Sequence, residues 1–279
     1  MAEFSDRRRA TAARLTRGTI FASLIAVPVL TYVSVQDVLG PEPHREIVDI
    51  DAYPWSSIGK VATAGFGAAQ ICTAAVIGPN HFLTSAHCLY SVREKRFRPP
   101  ASVHFFLGYA RGESRVQRVA SRYVVPPTYV PLNIDAAGSD FAVVYTDDPF
   151  PTDIRPLRLA TAIPPLRAPA KTGGYSIERP HLMTADQHCQ VREISRDEKL
   201  IVHDCVTHHG DSGGPLLSAD EEGLILGVNV LGHPLLVELE EQSKEGGVAV
   251  PAATISEFLA SQPVVGLDRQ KVSGLRIAP

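Results

Sequence analysis

Gly210-Asp211-Ser212-Gly213-Gly214-Pro215 is the stretch on which the reading of this chain turns. Glycines on both sides of Ser212 permit a tight turn with positive dihedrals and leave consecutive backbone N–H groups free to point at one spot. A serine is a weak nucleophile until a neighbouring base takes its proton, and that base needs a carboxylate to fix its tautomer and stabilise its cation. Upstream, Cys72-Thr-Ala-Ala-Val-Ile-Gly-Pro-Asn-His-Phe-Leu-Thr-Ser-Ala-His-Cys88 reads as two strands joined by a Gly-Pro-Asn turn, with His87 at a strand end. Between the two, Ser139-Asp140-Phe-Ala-Val-Val-Tyr145 sets an acid directly before an apolar strand. Asp135 is the rival acid, and Asp140 is preferred because the strand follows it at once. One residue therefore stands for each role: His87 as base, Asp140 as its carboxylate and Ser212 as nucleophile. The N–H groups of Gly210 and Ser212 would form an oxyanion hole, in which one donor is worth about 3–4 kcal/mol.

The whole composition agrees with a folded, exported chain. The 279 residues carry 27 Lys+Arg against 30 Asp+Glu, a net charge of −3, which excludes a polybasic nucleic-acid binder. With 44% hydrophobic residues, intrinsic disorder is excluded as well. The 22 Pro and 21 Gly favour many turns and short strands, hence an all-β fold. Arg7, Arg8, Arg9, Arg14 and Arg17 precede an uncharged stretch, residues 18–36, which reads as a secretory signal peptide or an uncleaved membrane anchor. Neither a cut after Ser34 nor one after Gln36 has small residues at both required positions, and a cut after Gly40 would put Pro41 directly behind it, so both readings stand. Either one sends the rest of the chain out of the cytoplasm, to a secreted, periplasmic or inner-membrane-anchored location. Four cysteines, with Cys72 and Cys88 separated by 16 positions and Cys189 and Cys205 likewise, are expected to form two disulfides in an oxidising compartment. Three pairings are open, of which the two local pairs need the least chain rearrangement.

Strands are expected at 58–64, 71–77, 81–85, 103–107, 115–124, 141–145, 199–206 and 223–231, and a helix at 252–261 with Pro251 in its first turn. Pro164, Pro165 and Pro169 fall where two β-halves would join. The segments divide as a leader or anchor over 1–40, a domain over 41–262 with its junction near 147–170, and a tail over 263–279. No cofactor or metal is expected, His203, His208 and His209 being read as strand and pocket-rim residues.

The histidine, aspartate and serine segments, in that order, resemble the trypsin/chymotrypsin-like serine peptidases. Tyr53-Pro-Trp-Ser-Ser-Ile-Gly-Lys-Val61 and Gly173-Gly-Tyr175 resemble the bacterial glutamyl-endopeptidase branch in particular, and the likeness covers residues 47–262. It implies two six-stranded antiparallel barrels with the site in the cleft between them, a C-terminal helix, peptide or protein substrates, and a Cys72–Cys88 disulfide beside His87. It also implies that Asp211 needs a cationic partner, since a buried carboxylate is costly alone. An internal Arg or Lys is the expected partner, and a new terminus made by cleavage near Ile47 is the alternative. The pocket-floor position, six before Ser212, holds Val206 in place of the acid that would select Lys or Arg. Thr207 matches the glutamyl branch and His208 and His209 would add positive charge near the pocket when protonated, but the position of that branch's carboxylate-binding histidine is Asn229. A small or medium apolar P1 residue is therefore expected ahead of an acidic one, with Val230 through Gly232 pairing with the substrate backbone. The competing class is a non-catalytic binding protein on the same fold.

Overall fold

The computed structural model describes residues 45–63, 70–232 and 246–262. The expected leader or anchor and the tail after 262 lie outside the described residues. In chain order the strands are β1 (Arg45–Ile47), β2 (Ile58–Thr63), β3 (Gln70–Gly78), β4 (His81–Thr84), β5 (Tyr90–Ser91), β6 (Arg96–Phe97), β7 (Val103–Leu107) and β8 (Val116–Val124). They continue with β9 (Ala142–Thr146), β10 (Arg158–Leu159), β11 (Pro169–Gly174), β12 (Thr184–Ile194), β13 (Ile201–His203), β14 (Pro215–Ser218), β15 (Leu224–Gly232) and β16 (Gly247–Pro251). The helix α1 (Ala252–Ser261) ends the described chain.

Strands β2, β3, β4, β9, β8 and β7 close into one antiparallel barrel in that order. The second ring runs β12, β11, β14, β15, β16, β13 and is closed by pairing of β12 with β13, while β1 adds to β12 as an edge strand. The expected all-β, two-barrel fold is the one that forms. Period-2 alternation shows why: in β7, Val103, Phe105 and Leu107 face the first core, while His104 and Phe106 stand half exposed. The Phe82 and Phe105 rings stack there with centroids 4.4 Å apart. The second core is built from Ala170, Val191, Ile201, Leu216, Leu226 and Ala249 around the Cys189–Cys205 disulfide.

A third apolar cluster belongs to neither ring and sets their relation. Leu83, Phe141 and Val143 of the first barrel pack on Val228, Val230, Val248 and Val250 of the second and on Ile255 of α1. The Phe258 ring of α1 meets Phe141 edge-on at 5.3 Å. Ala142 and Val144, the intervening residues of β9, face the first core instead. Both faces of β9 are thus buried over Ala142, Val143 and Val144, which is why that run is apolar without alternation.

Several boundaries differ from expectation. The strand expected at 199–206 contracts to Ile201–His203, because Ser195 Oγ accepts the Lys199 and Leu200 N–H groups in a turn before it. After it, Asp204 turns its carboxylate onto the Gln190 N–H and Cys205 leaves the ladder for its disulfide. Pro251 is the N-cap of α1 and the last residue of β16, one position before the expected first turn. Strands β1, β5, β6, β10, β11, β12, β14 and β16 have no counterpart among the expected strands.

Candidate active site

Helical turn Ala86–Leu89, directly after β4, carries His87, and the Cys72–Cys88 disulfide ties that turn to β3. Asp140 caps the helical turn Ile134–Ser139 and reaches His87 twice. Its Oδ1 accepts the His87 backbone N–H at 2.8 Å, and its Oδ2 lies 2.6 Å from the ring Nδ1. An ionised carboxylate only accepts, so the Nδ1 proton points to Asp140 and Nε2 is left as an acceptor. Asp140 is buried, whereas the rival Asp135 is exposed and receives its own N–H bond locally, to Asn133 Oδ1. Burial lowers the His87 pKa, but the Asp140 charge and hydrogen bond outweigh it and hold the imidazole above its ordinary 6.5. A base must be neutral to act. The rate is therefore expected to fall on acidification through an apparent pKa above 6.5, a limb that kcat/KM against pH measures.

The Ser212 turn is docked onto the first barrel through a residue that no sequence motif singles out. Thr73, next to Cys72 on β3, donates its N–H to the Ser212 carbonyl at 2.9 Å and its hydroxyl to the Gly210 carbonyl at 2.9 Å. Its hydroxyl also accepts the Tyr175 N–H at 3.0 Å. From the same side Ser85, two before His87, donates to the Asn229 carbonyl at 2.7 Å, and that carbonyl accepts the Gly213 N–H at 2.7 Å. These bonds, with Cys88 Sγ 3.7 Å from the Ser212 carbonyl oxygen, bring the His87 and Ser212 turns together. Ser212 Oγ and His87 Nε2 make no hydrogen bond with each other.

Positive φ is needed where it was expected. Gly210 has φ +107°, and a Cβ there would lie 2.3 Å from the Tyr175 carbonyl oxygen. With the neighbouring Asp211, Gly213 and Gly214 amides committed to His208, Asn229 and Asp211 carbonyls, the N–H groups of Gly210 and Ser212 donate to no acceptor among the described residues. Uncommitted amides of this kind are what a developing oxyanion would need as donors.

Asp211 is taken by Arg45. The guanidinium meets both carboxylate oxygens, at 2.7 and 3.1 Å, and neither side chain is more than 1% exposed. Burial pushes the Asp211 carboxyl up, opposed by the Arg45 charge and the His208 N–H, which bonds Oδ2 at 2.8 Å. Ile47, the terminus that activation cleavage would free, lies 56% exposed on β1.

Around the expected pocket, Thr207 Oγ1 donates to the carbonyl of Gly246, the residue before β16. Val206 is buried, His209 is exposed on the rim, and Gly232 pairs with Gly247. Asn229 bonds inward: its Oδ1 lies 2.9 Å from His203 Nε2 and its Nδ2 donates to Thr172 Oγ1. The His203 ring sits behind Gly247, whose Cβ, if present, would be 2.6 Å from Cε1. Burial drives the His203 pKa to about 4, so the ring is neutral at neutral pH. The unfolded chain takes up this proton first, so stability falls as pH drops from 6.5 to about 4. Urea titrations should show the wild type losing about 3 kcal/mol more than His203→Gln across that window. The one group of adjacent metal-ligand types among the described residues, Cys72, Cys88 and His87, has its two sulfurs joined to each other.

Three relationships bear on this geometry. The family model described as Trypsin matches residues 48–259. A Glu endopeptidase in complex with MPD has a similar structure, with a TM-score of 0.64 and 21% identity over 78% of this chain and 95% of that one. The scabies mite inactivated protease paralogue S-I1 is similar at a TM-score of 0.60 and 16% identity, over 77% of this chain and 97% of its own. No curated protein sequence matches. At such identities the two structures speak for the fold, but the family match spans well over half of the chain, so the chain belongs to the Trypsin family of serine peptidases.

Proposed function

We propose that this protein is an exported serine endopeptidase that cleaves peptide bonds through an acyl-enzyme. Ser212 Oγ attacks the scissile carbonyl, His87 Nε2 takes its proton and later returns it to the leaving amine, and Asp140 holds the imidazole and stabilises its cation. Gly210 and Ser212 donate their N–H groups to the oxyanion, and the substrate lies as an added strand along Val230, Leu231 and Gly232. The observation that carries this reading is the doubly bonded His87–Asp140 pair beside a turn with two uncommitted amides.

A small or medium apolar P1 side chain fits best. Val206 lies at the expected pocket floor, Asn229 turns its amide away to His203 and Thr172, and His203 is neutral, so these residues offer a substrate carboxylate no charge at neutral pH. The two disulfides, each closing a loop of 16 positions, support an oxidising compartment, with residues 18–36 as signal or membrane tether.

Because a similar fold occurs in an inactivated protease, the fold by itself does not separate enzyme from binding protein. A fluorophosphonate probe does. An adduct mapped by mass spectrometry to Ser212, and absent in His87→Ala, is the expected result. A folded, disulfide-bonded chain that takes no adduct would point to a zymogen needing a new terminus near Ile47, or, if trimming there also gives no adduct, to the binding-protein reading.

A further inference from the structure

Arg45 donates all five of its guanidinium protons inside the protein. Nε bonds Thr184 Oγ1, Nη2 bonds the Thr184 carbonyl and Asp211 Oδ1, and Nη1 bonds Asp211 Oδ2 and the Val206 carbonyl. The side chain has no solvent exposure. A buried ion pair is weak ground for stability, because desolvation offsets its attraction. What this one does is fix positions. It joins β12 to both ends of the 206–211 segment, and Asp211 Oδ2 in turn holds the His208 N–H. On the other side of Val206, its N–H is held by Asp186 Oδ2 at 2.9 Å. These bonds fix Val206, the His208 N–H and the Asp211 side chain, the last directly before the Ser212 N–H, while the His209 and Gly210 carbonyls are held from elsewhere, by the Ile177 N–H and Thr73 Oγ1.

The element that delivers Arg45 is unusual. β1 has three residues, lies outside the closed ring, and pairs with β12 along one edge only. Glu46 and Ile47 beside it are exposed. We propose that Arg45 is the positioning residue for the oxyanion turn, delivered from an edge strand upstream of the barrels, so that the site is assembled while the segment before Arg45 is still attached. This rests on the peptidase reading of Ser212. On this account a cut between Arg45 and Ile47 would loosen the partner of Asp211 and would not create one.

The test is the fluorophosphonate labelling rate of Ser212 in the full chain, with intact mass recorded for the labelled species and kcat and KM measured on a peptide substrate. Wild type is expected to label at a mass that retains Arg45, with or without removal of the leader. Arg45→Met should label about 100-fold more slowly, through kcat more than KM, with both disulfides and the β-sheet spectrum retained. In Arg45→Gly, free guanidinium ion at non-denaturing concentration should restore labelling, which a merely structural role would not do. If Arg45→Met does not fold, Arg45→Lys decides. Its three donors against five should slow a folded chain about tenfold. Wild-type labelling rates in the folded Met or Lys variant, or labelling confined to chains trimmed to Glu46 or beyond, would overturn the proposal. A wild type that labels in no form overturns the peptidase reading instead.

Discussion

Ser212→Ala is expected to lower kcat by about 10⁶-fold while KM changes little. The alanine removes the attacking oxygen and leaves in place everything that binds substrate. The turn itself should persist, because its anchors are backbone groups: the Ser212 carbonyl held by the Thr73 N–H, and the Gly213 N–H held by the Asn229 carbonyl. Asp140→Asn should cost less, about 10⁴-fold. An amide facing His87 can present its N–H to Nδ1 and trap the imidazole in the tautomer with its proton on Nε2, where it cannot act as base. Asparagine retains an oxygen for the His87 backbone N–H, so the helical turn should survive. Single-turnover kinetics on an activated ester would separate these effects. A Ser212→Ala chain that still releases product in a burst would sink the assignment of the nucleophile.

Gly213→Ala should produce the largest loss of stability. Its φ is +81°, and the added Cβ would lie 2.1 Å from Thr84 Oγ1, 2.3 Å from the Thr73 carbonyl oxygen and 2.8 Å from the Ser85 nitrogen. Two of those atoms are backbone. The third, Thr84 Oγ1, is fixed by its own bond to the Thr73 carbonyl at 2.8 Å. Nothing there is the free end of a flexible side chain, so the two barrels would have to separate locally or the turn unwind. A cost of about 4 kcal/mol or more is expected, a large part of the stability of a domain of this size. Gly112 is the control. It has φ +97°, but a Cβ added there would meet no atom within 4 Å, so Gly112→Ala carries only the dihedral penalty, about 1–2 kcal/mol. Urea unfolding of both variants would measure the difference, and equal losses would show that the close approach at Gly213 is not what requires glycine.

The different visibility of the elements has a physical origin in each case. β7 is legible at full length because its alternating pattern faces one core and one half-exposed surface. β12 is hidden because it carries Asp186, Gln187 and His188 in mid-strand. Asp186 is buried there, at 2% exposure, only because the Val206 and His188 N–H groups satisfy it, and no local pattern announces such partners. β14 and β16 are short runs of four and five residues that begin or end with proline, and they become strands by pairing on both sides, β14 with β11 and β15 and β16 with β13 and β15.

The site divides in the same way. His87, Asp140 and Ser212 can be picked out from the amino-acid order because each sits in a local signature: a cysteine-flanked turn, an acid before an apolar strand, and a serine between glycines that take positive φ. These are short-range requirements of backbone geometry, and short-range sequence expresses them. Arg45 as the partner of Asp211, 166 positions away, could be expected only as an unspecified cation. Thr73 as the dock for the Ser212 turn, and Asn229 bonded to a neutral His203, carry no local signature at all. A buried polar group must be satisfied by whatever lies across from it. What lies across is decided by the apolar faces of Leu83, Phe141 and Val143 closing on Val228, Val230 and Val250. The chain order alone determined the fold class and singled out the residues proposed to react. The docking of the two barrels decided which buried partners hold those groups in position.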